Sequence, residues 1–133
     1  MEDSDTITLK NLLMEVHWNT TTINLQELIN ISRGDKRVMF KYLQQFKDLI
    51  PQRIESLEEN MKADDRKKIR QIIHQMSPQL QFFGIKDIVK PMRRLEHEHE
   101  TMPYEELSTI VDIILNKLNM AIKDVDLILK ENF

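Results

Sequence analysis

Apolar residues recur along much of this chain at helical spacing, three and four positions apart. Leu25, Leu28, Ile29 and Ile31 form a first short run that ends near Gly34, and Asn24 with Glu27 three residues later reads as its capping box. From Asp35 to Met61, positions 39, 42, 43, 46, 49, 50, 54, 57 and 61 hold one stripe for about 27 residues, roughly 40 Å of helix. Pro51 lies inside that stripe. An interior proline removes a helical hydrogen bond, so a kink near Phe46 to Pro51 is predicted rather than two separate helices.

Ala63-Asp64-Asp65 reads as a turn with an N-cap, followed by a helix from about Asp65 to Phe82 that Gly84 stops. Its apolar positions 69, 72, 73, 76, 80 and 83 fall within a stripe under about 100° wide. Ile85, Ile88, Val89, Met92 and Leu95 define a shorter helix ending near His97, with Lys86, Lys90, Arg93 and Arg94 on its polar side and Pro91 inside it. Pro103 suits the first position of the last helix, whose stripe is Leu107, Ile110, Val111, Ile114, Leu118, Ile122, Val125 and Ile128. Four long amphipathic helices on short connections can bury their faces only against one another. The predicted fold is therefore all-α, an antiparallel four-helix bundle with a short extra N-terminal helix capping one end. Residues 24–133 make this bundle domain. Residues 1–23 read as a partly ordered lead-in segment, in which Leu9, Leu12, Leu13 and Val16 have helical spacing.

Composition narrows the function classes. Two glycines and four prolines leave little material for hairpin turns, in keeping with an all-α chain. Charged residues are 31% of the chain but nearly cancel to a net charge of −3, so no global field argues for nucleic acid or an anionic membrane. Without cysteine there are no disulfides and no thiolate metal sites. No run of 18 apolar residues exists, and Met1 to Asp5 is acidic where a signal peptide would be basic, so the expected place is the cytoplasm, without membrane insertion. The glycine patterns that cradle nucleotide phosphates are missing, which denies the chain a kinase activity of its own.

One residue of the third helix stands apart from its stripe. Taking Ile69 as origin, His74 lies about 140° round the helix, in a solvent-facing sector with Arg70 and Gln81 and beside Lys67 and Pro78. His74-Gln75-Met76-Ser77-Pro78 is followed by Gly84, ten positions after the histidine, and then by a new amphipathic run; Gly34-Asp35 opens the first long helix. This arrangement resembles the histidine-containing phosphotransfer (HPt) domains of bacterial two-component phosphorelays, over residues 22 to 130. The resemblance implies a phosphorelay intermediate. Exposed His74 would accept a phosphoryl group from a receiver-domain aspartate and pass it to another receiver, acting as a carrier and not an enzyme. It implies response-regulator receiver domains as partners, with a hybrid sensor kinase as a further one, a monomeric chain, and Mg²⁺ only in the receiver. No intrinsic cofactor or metal is expected. An exposed imidazole suits the role, since the ordinary imidazole pKa of about 6.5 leaves a ring nitrogen available near neutral pH.

The chain departs from the family pattern beside the histidine. The lysine commonly found three residues later is Ser77, and the glycine commonly found four later is Pro78. Arg70, one turn before His74, is expected to substitute for the lysine, with Lys67 as longer-range help and the Ser77 hydroxyl supplying one uncharged donor. Pro78 lacks the N–H that would bond the carbonyl of His74. Pro78 and Phe82 are expected to form an apolar docking patch for the receiver, with Gln71, Gln75 and Gln81 at its rim; the alternative is that Phe82 packs against the turn after Gly84. Glu96 occupies a family position that can face the phosphohistidine, where a carboxylate repels phosphate unless an arginine pairs with it. His97 and His99, two apart, fall on different sides of a helix and make a poor metal pair, and His17 is assigned no role. A second reading stays open, a degenerate HPt-like adaptor or inhibitor that binds a receiver or sensor kinase without being phosphorylated. A third is a helical module with no relay role.

Overall fold

The computed structural model describes residues 22–133, so the lead-in expectations on Leu9 to Val16, His17 and Trp18 lie outside the described residues. The described residues form five helices and no strand: α1 (Gln26–Ser32), α2 (Lys36–Lys62), α3 (Arg66–Phe82), α4 (Val89–Glu98) and α5 (Tyr104–Asn132). Each begins or ends where the local chemistry dictates. The Asp35 carboxylate accepts from the Arg37 N–H at 2.9 Å to start α2, and Asp65 accepts from the Lys68 N–H at 3.1 Å to start α3. Arg33 and Gly34 turn the chain out of α1 with φ of 53° and 77°. α2 runs as one helix through Pro51, whose ring faces solvent.

Short connections make α2, α3, α4 and α5 alternate in direction, and α5 closes the ring by packing on α2. The fully buried positions of the two long helices include Met39, Leu43, Phe46, Ile50 and Leu57 from α2 and Leu107, Ile114, Leu118, Ala121 and Val125 from α5. Ala121 joins the stripe predicted for α5, while Ile122 is only partly buried. At about 15 Å, α4 is the shortest wall of the bundle. It leans on α3 over the turns that carry His74 and those that follow it.

Three local expectations need correction. Asn24 and Glu27 do not form a capping box: α1 begins at Gln26, with Leu25 at the cap position, and the Asn24 Oδ1 instead accepts from the Gln26 N–H at 2.9 Å in an Asx turn. Tertiary pairing causes the shift. The Asn24 N–H donates to the Phe83 carbonyl at 3.1 Å and the Lys86 N–H to the Thr22 carbonyl at 2.9 Å, so Thr22 to Asn24 lies extended along the α3–α4 connection. Thr22 and Ile23, expected in the lead-in, are buried there. Pro91 lies inside α4, as its spacing predicts, at the third residue, where its missing N–H is one of the groups a helix leaves unpaired in any case. Pro103, with ψ at 148°, precedes α5 as its cap and is not its first helical residue.

Gly84 joins these pieces. α3 ends with the Gly84 N–H donating to the Gln81 carbonyl and the Ile85 N–H to the Leu80 carbonyl, a Schellman closure that needs φ of +59° at Gly84. A Cβ on Gly84 would lie 2.5 Å from the Asn24 carbonyl oxygen. The glycine therefore serves the turn and the seating of the N-terminal segment together. Beneath it, the buried rings of Phe46 and Phe83 pack with centroids 4.3 Å apart.

Candidate functional site

His74 sits in the middle of α3 with its side chain 67% exposed. Its Nδ1 lies 3.1 Å from Oε1 of Glu96, on the flank of α4, whose side chain is only 23% exposed. An ionised carboxylate only accepts hydrogen bonds, so this contact puts the proton on Nδ1. In the neutral ring the lone pair then falls on Nε2. The ring is oriented by one carboxylate, and Nε2 is the nitrogen which that partner does not engage.

Two concavities flank the ridge that carries His74. On the α4 side, Ser77 and Gln81 face Val89, Met92, Arg93 and Glu96 across a cleft of about 120 Å³. Within it the Gln81 Nε2 donates to the Ser77 Oγ at 3.0 Å, which leaves the serine proton to point elsewhere. On the α2 side an open, mostly apolar groove of about 490 Å³ is lined by Ile31, Tyr42, Leu49, Pro78, Phe82 and Phe83, among others. Phe82 is partly buried and packs against Tyr42, with ring centroids 5.4 Å apart.

The residues singled out in the sequence are thus divided by the fold. Pro78 and Phe82 meet in the groove, Ser77 and Gln81 in the cleft, and Gln71 and Gln75 lie exposed on α3. Lys67 is exposed and Arg70 half-buried, and neither side chain makes an ion pair among the described residues. Sequence reasoning missed Tyr42, which periodicity placed in the general stripe of α2, and gave no reason to prefer one α4 cation over another. Here the two adjacent arginines differ. Arg94 is engaged by Glu98 at 3.1 Å and Glu106 at 2.8 Å, whereas Arg93 lines the cleft and makes no ion pair among the described residues. Among the described residues no group of three or more His, Asp or Glu side chains could hold a metal ion.

The family model described as the Hpt domain matches residues 41–126, well over half of the chain. The chain belongs to the Hpt domain family. The match runs from the second turn of α2 through most of α5 and so takes in His74, the cleft between α3 and α4, and Gly84. No curated protein and no solved structure matches the chain. Hpt domains are phosphocarriers and not kinases; membership assigns the chain to phosphotransfer in two-component signalling, with response-regulator receivers as the partner class. No helix among the described residues is long and apolar enough to cross a membrane.

Proposed function

We propose that this Hpt domain is a relay intermediate in which Nε2 of His74 accepts a phosphoryl group from a receiver aspartate and delivers it to a second receiver. The observation that carries this reading is the His74–Glu96 contact, which engages Nδ1 and leaves Nε2 as the unengaged nitrogen of an exposed ring. As Nε2 bonds to phosphorus, the bond from phosphorus to the aspartate oxygen breaks and the carboxylate leaves with its electron pair. The ring gains positive character, and the Glu96 carboxylate stabilises it through Nδ1–H. Delivery reverses these changes. Mg²⁺ acts from the receiver side and needs no ligand from this chain.

Ser77 is proposed to donate its hydroxyl to a phosphoryl oxygen, and Arg70 and Lys67 to add positive potential along α3. Pro78, with the partly buried Phe82 behind it, offers the receiver an apolar foothold next to the histidine, rimmed by Gln71, Gln75 and Gln81. Relay contacts must release, so an interface of about 1,200 Å² or less is expected. A monomer in the cytoplasm, fed by a hybrid sensor kinase or a separate receiver, meets these requirements.

The adaptor reading is favoured by the carboxylate beside the ring and by the uncharged Ser77. Incubation of wild type and His74→Gln with phosphoramidate, followed by intact-mass spectrometry and nitrogen NMR, separates the two. Acid-labile gain of one phosphoryl group on Nε2, lost in the variant, supports the carrier. A folded wild type that gains none, or gains it on Nδ1, refutes the proposed chemistry.

A further inference from the structure

The cleft beside His74 presents an electrostatic problem. A phosphoryl group on Nε2 brings about two negative charges next to a ring whose other nitrogen is already held by Glu96. Ser77, Gln81, Val89 and Met92 bring no charge to the cleft, which leaves Arg93 as the cation among its lining residues. Arg93 and Glu96 are three apart on α4, so they sit as neighbours on one face. Across the antiparallel pair, Arg93 shares the cleft wall with Ser77 and Gln81. Glu96, on the same wall, joins the cleft to the His74 ring, while Arg70 is not among the residues that line it.

We infer that Arg93 is the residue that binds the phosphoryl group, its guanidinium taking phosphoryl oxygens from the α4 side while Ser77 donates from α3. The inference rests on His74 being the phosphoacceptor. It goes further in moving the main phosphate-binding charge from α3 to α4. A planar guanidinium presents paired N–H donors to phosphoryl oxygens, and Arg93 is free to do so because Arg94, and not Arg93, is occupied by Glu98 and Glu106.

The test uses the whole chain and phosphoramidate as donor, whose phosphorus–nitrogen bond breaks as the bond to Nε2 forms and ammonia leaves. Wild type, Arg93→Ala, Arg93→Gln, Arg93→Lys and the control Arg94→Ala are compared at equal helicity. Readouts are uptake rate, phosphohistidine half-life and the phosphorus NMR shift of the product. Loss of a charge-assisted pair predicts a fall of about tenfold or more in uptake or half-life for Arg93→Ala and Arg93→Gln, with a moved phosphorus resonance. Partial rescue is expected in Arg93→Lys and no change in Arg94→Ala. Wild-type rates, lifetimes and shifts in both neutral variants overturn the inference, as does an equal loss in Arg94→Ala, which would show only a general effect of surface charge. If folded wild type takes up no phosphoryl group, the phosphoacceptor reading itself falls and the inference with it.

Discussion

Replacing Gly84 by alanine tests whether the close approach at the end of α3 holds the N-terminal segment on the bundle. Gly84 has φ of +59°, and an L-residue there costs about 1–2 kcal/mol for backbone conformation alone. The new methyl would also meet the Asn24 carbonyl oxygen at 2.5 Å and the Asn24 Cβ at 2.9 Å, both far inside ordinary contact. The segment must then lift, stretching the Asn24-to-Phe83 and Lys86-to-Thr22 hydrogen bonds, which are worth about 1 kcal/mol each. The sum is about 3–4 kcal/mol. With an unfolding entropy of about 2.1 cal/mol/K per residue, this corresponds to a fall in Tm of roughly 11–14 °C for a chain of 133 residues. Thermal unfolding followed by circular dichroism measures it, and Gly84→Asn separates the two causes because asparagine tolerates left-handed backbone but keeps the Cβ. Gly84→Asn should keep the close-approach part of the loss and fall by about 1–2 kcal/mol less than Gly84→Ala. A Tm within about 2 °C of wild type in Gly84→Ala, or near-complete recovery in Gly84→Asn, would refute the close-approach argument.

Ile31, 55% exposed at the rim of the apolar groove, should be separable from stability: Ile31→Ser is expected to weaken receiver binding by about tenfold with little change in Tm, and unchanged calorimetric affinity would remove the groove from the docking surface. Asp126 accepts from Lys47 of α2 at 2.6 Å and from Lys130 at 3.0 Å, and these hydrogen bonds hold its carboxyl below the ordinary aspartate range. A depressed folded-state pKa stabilises the fold above the ordinary carboxylate range, and that stability disappears as pH falls through the folded value. Asp126→Asn should therefore be less stable than wild type at pH 7 and nearly equal to it in strong acid; an equal difference in urea midpoint at both pH values would contradict the assignment.

The bundle was legible in the sequence because its information is local. A stripe such as Leu107, Ile110, Val111 and Ile114 follows directly from helical periodicity, and Asp35 and Asp65 announce helix starts through their own carboxylates. What escaped depends on partners distant along the chain. Asn24 has the chemistry of a helix cap, but its backbone is drawn onto Phe83, 59 residues later, and the helix starts after it. Phe82 falls off the core stripe on a helical projection, yet Tyr42 covers part of its ring. The same limit governs the site. His74 stands out as a candidate from its exposed sector and its spacing to Gly84, both local signals, whereas the difference between Arg93 and Arg94 depends on Glu106, an acidic residue of another helix. One-dimensional spacing cannot say which of two adjacent cations is already occupied.

Under the proposed function, the unlike concavities on the two sides of His74 take separate tasks. The α2 side is apolar and open, suited to contact that forms and releases without fixed charge pairs. The α4 side is small and polar, with Glu96 on the ring and Arg93 at the wall, suited to holding a compact anion. Because the two sides are linked through the same helix but share no lining residue, changes in the groove should alter how often a receiver docks. Changes in the cleft should alter how readily the phosphoryl group moves once the receiver is there. Such a division lets receiver choice vary through residues like Ile31 and Tyr42 without disturbing Nε2. It also makes Ser77 compatible with phosphotransfer, since the charge that position lacks on α3 can be supplied by Arg93 across the cleft.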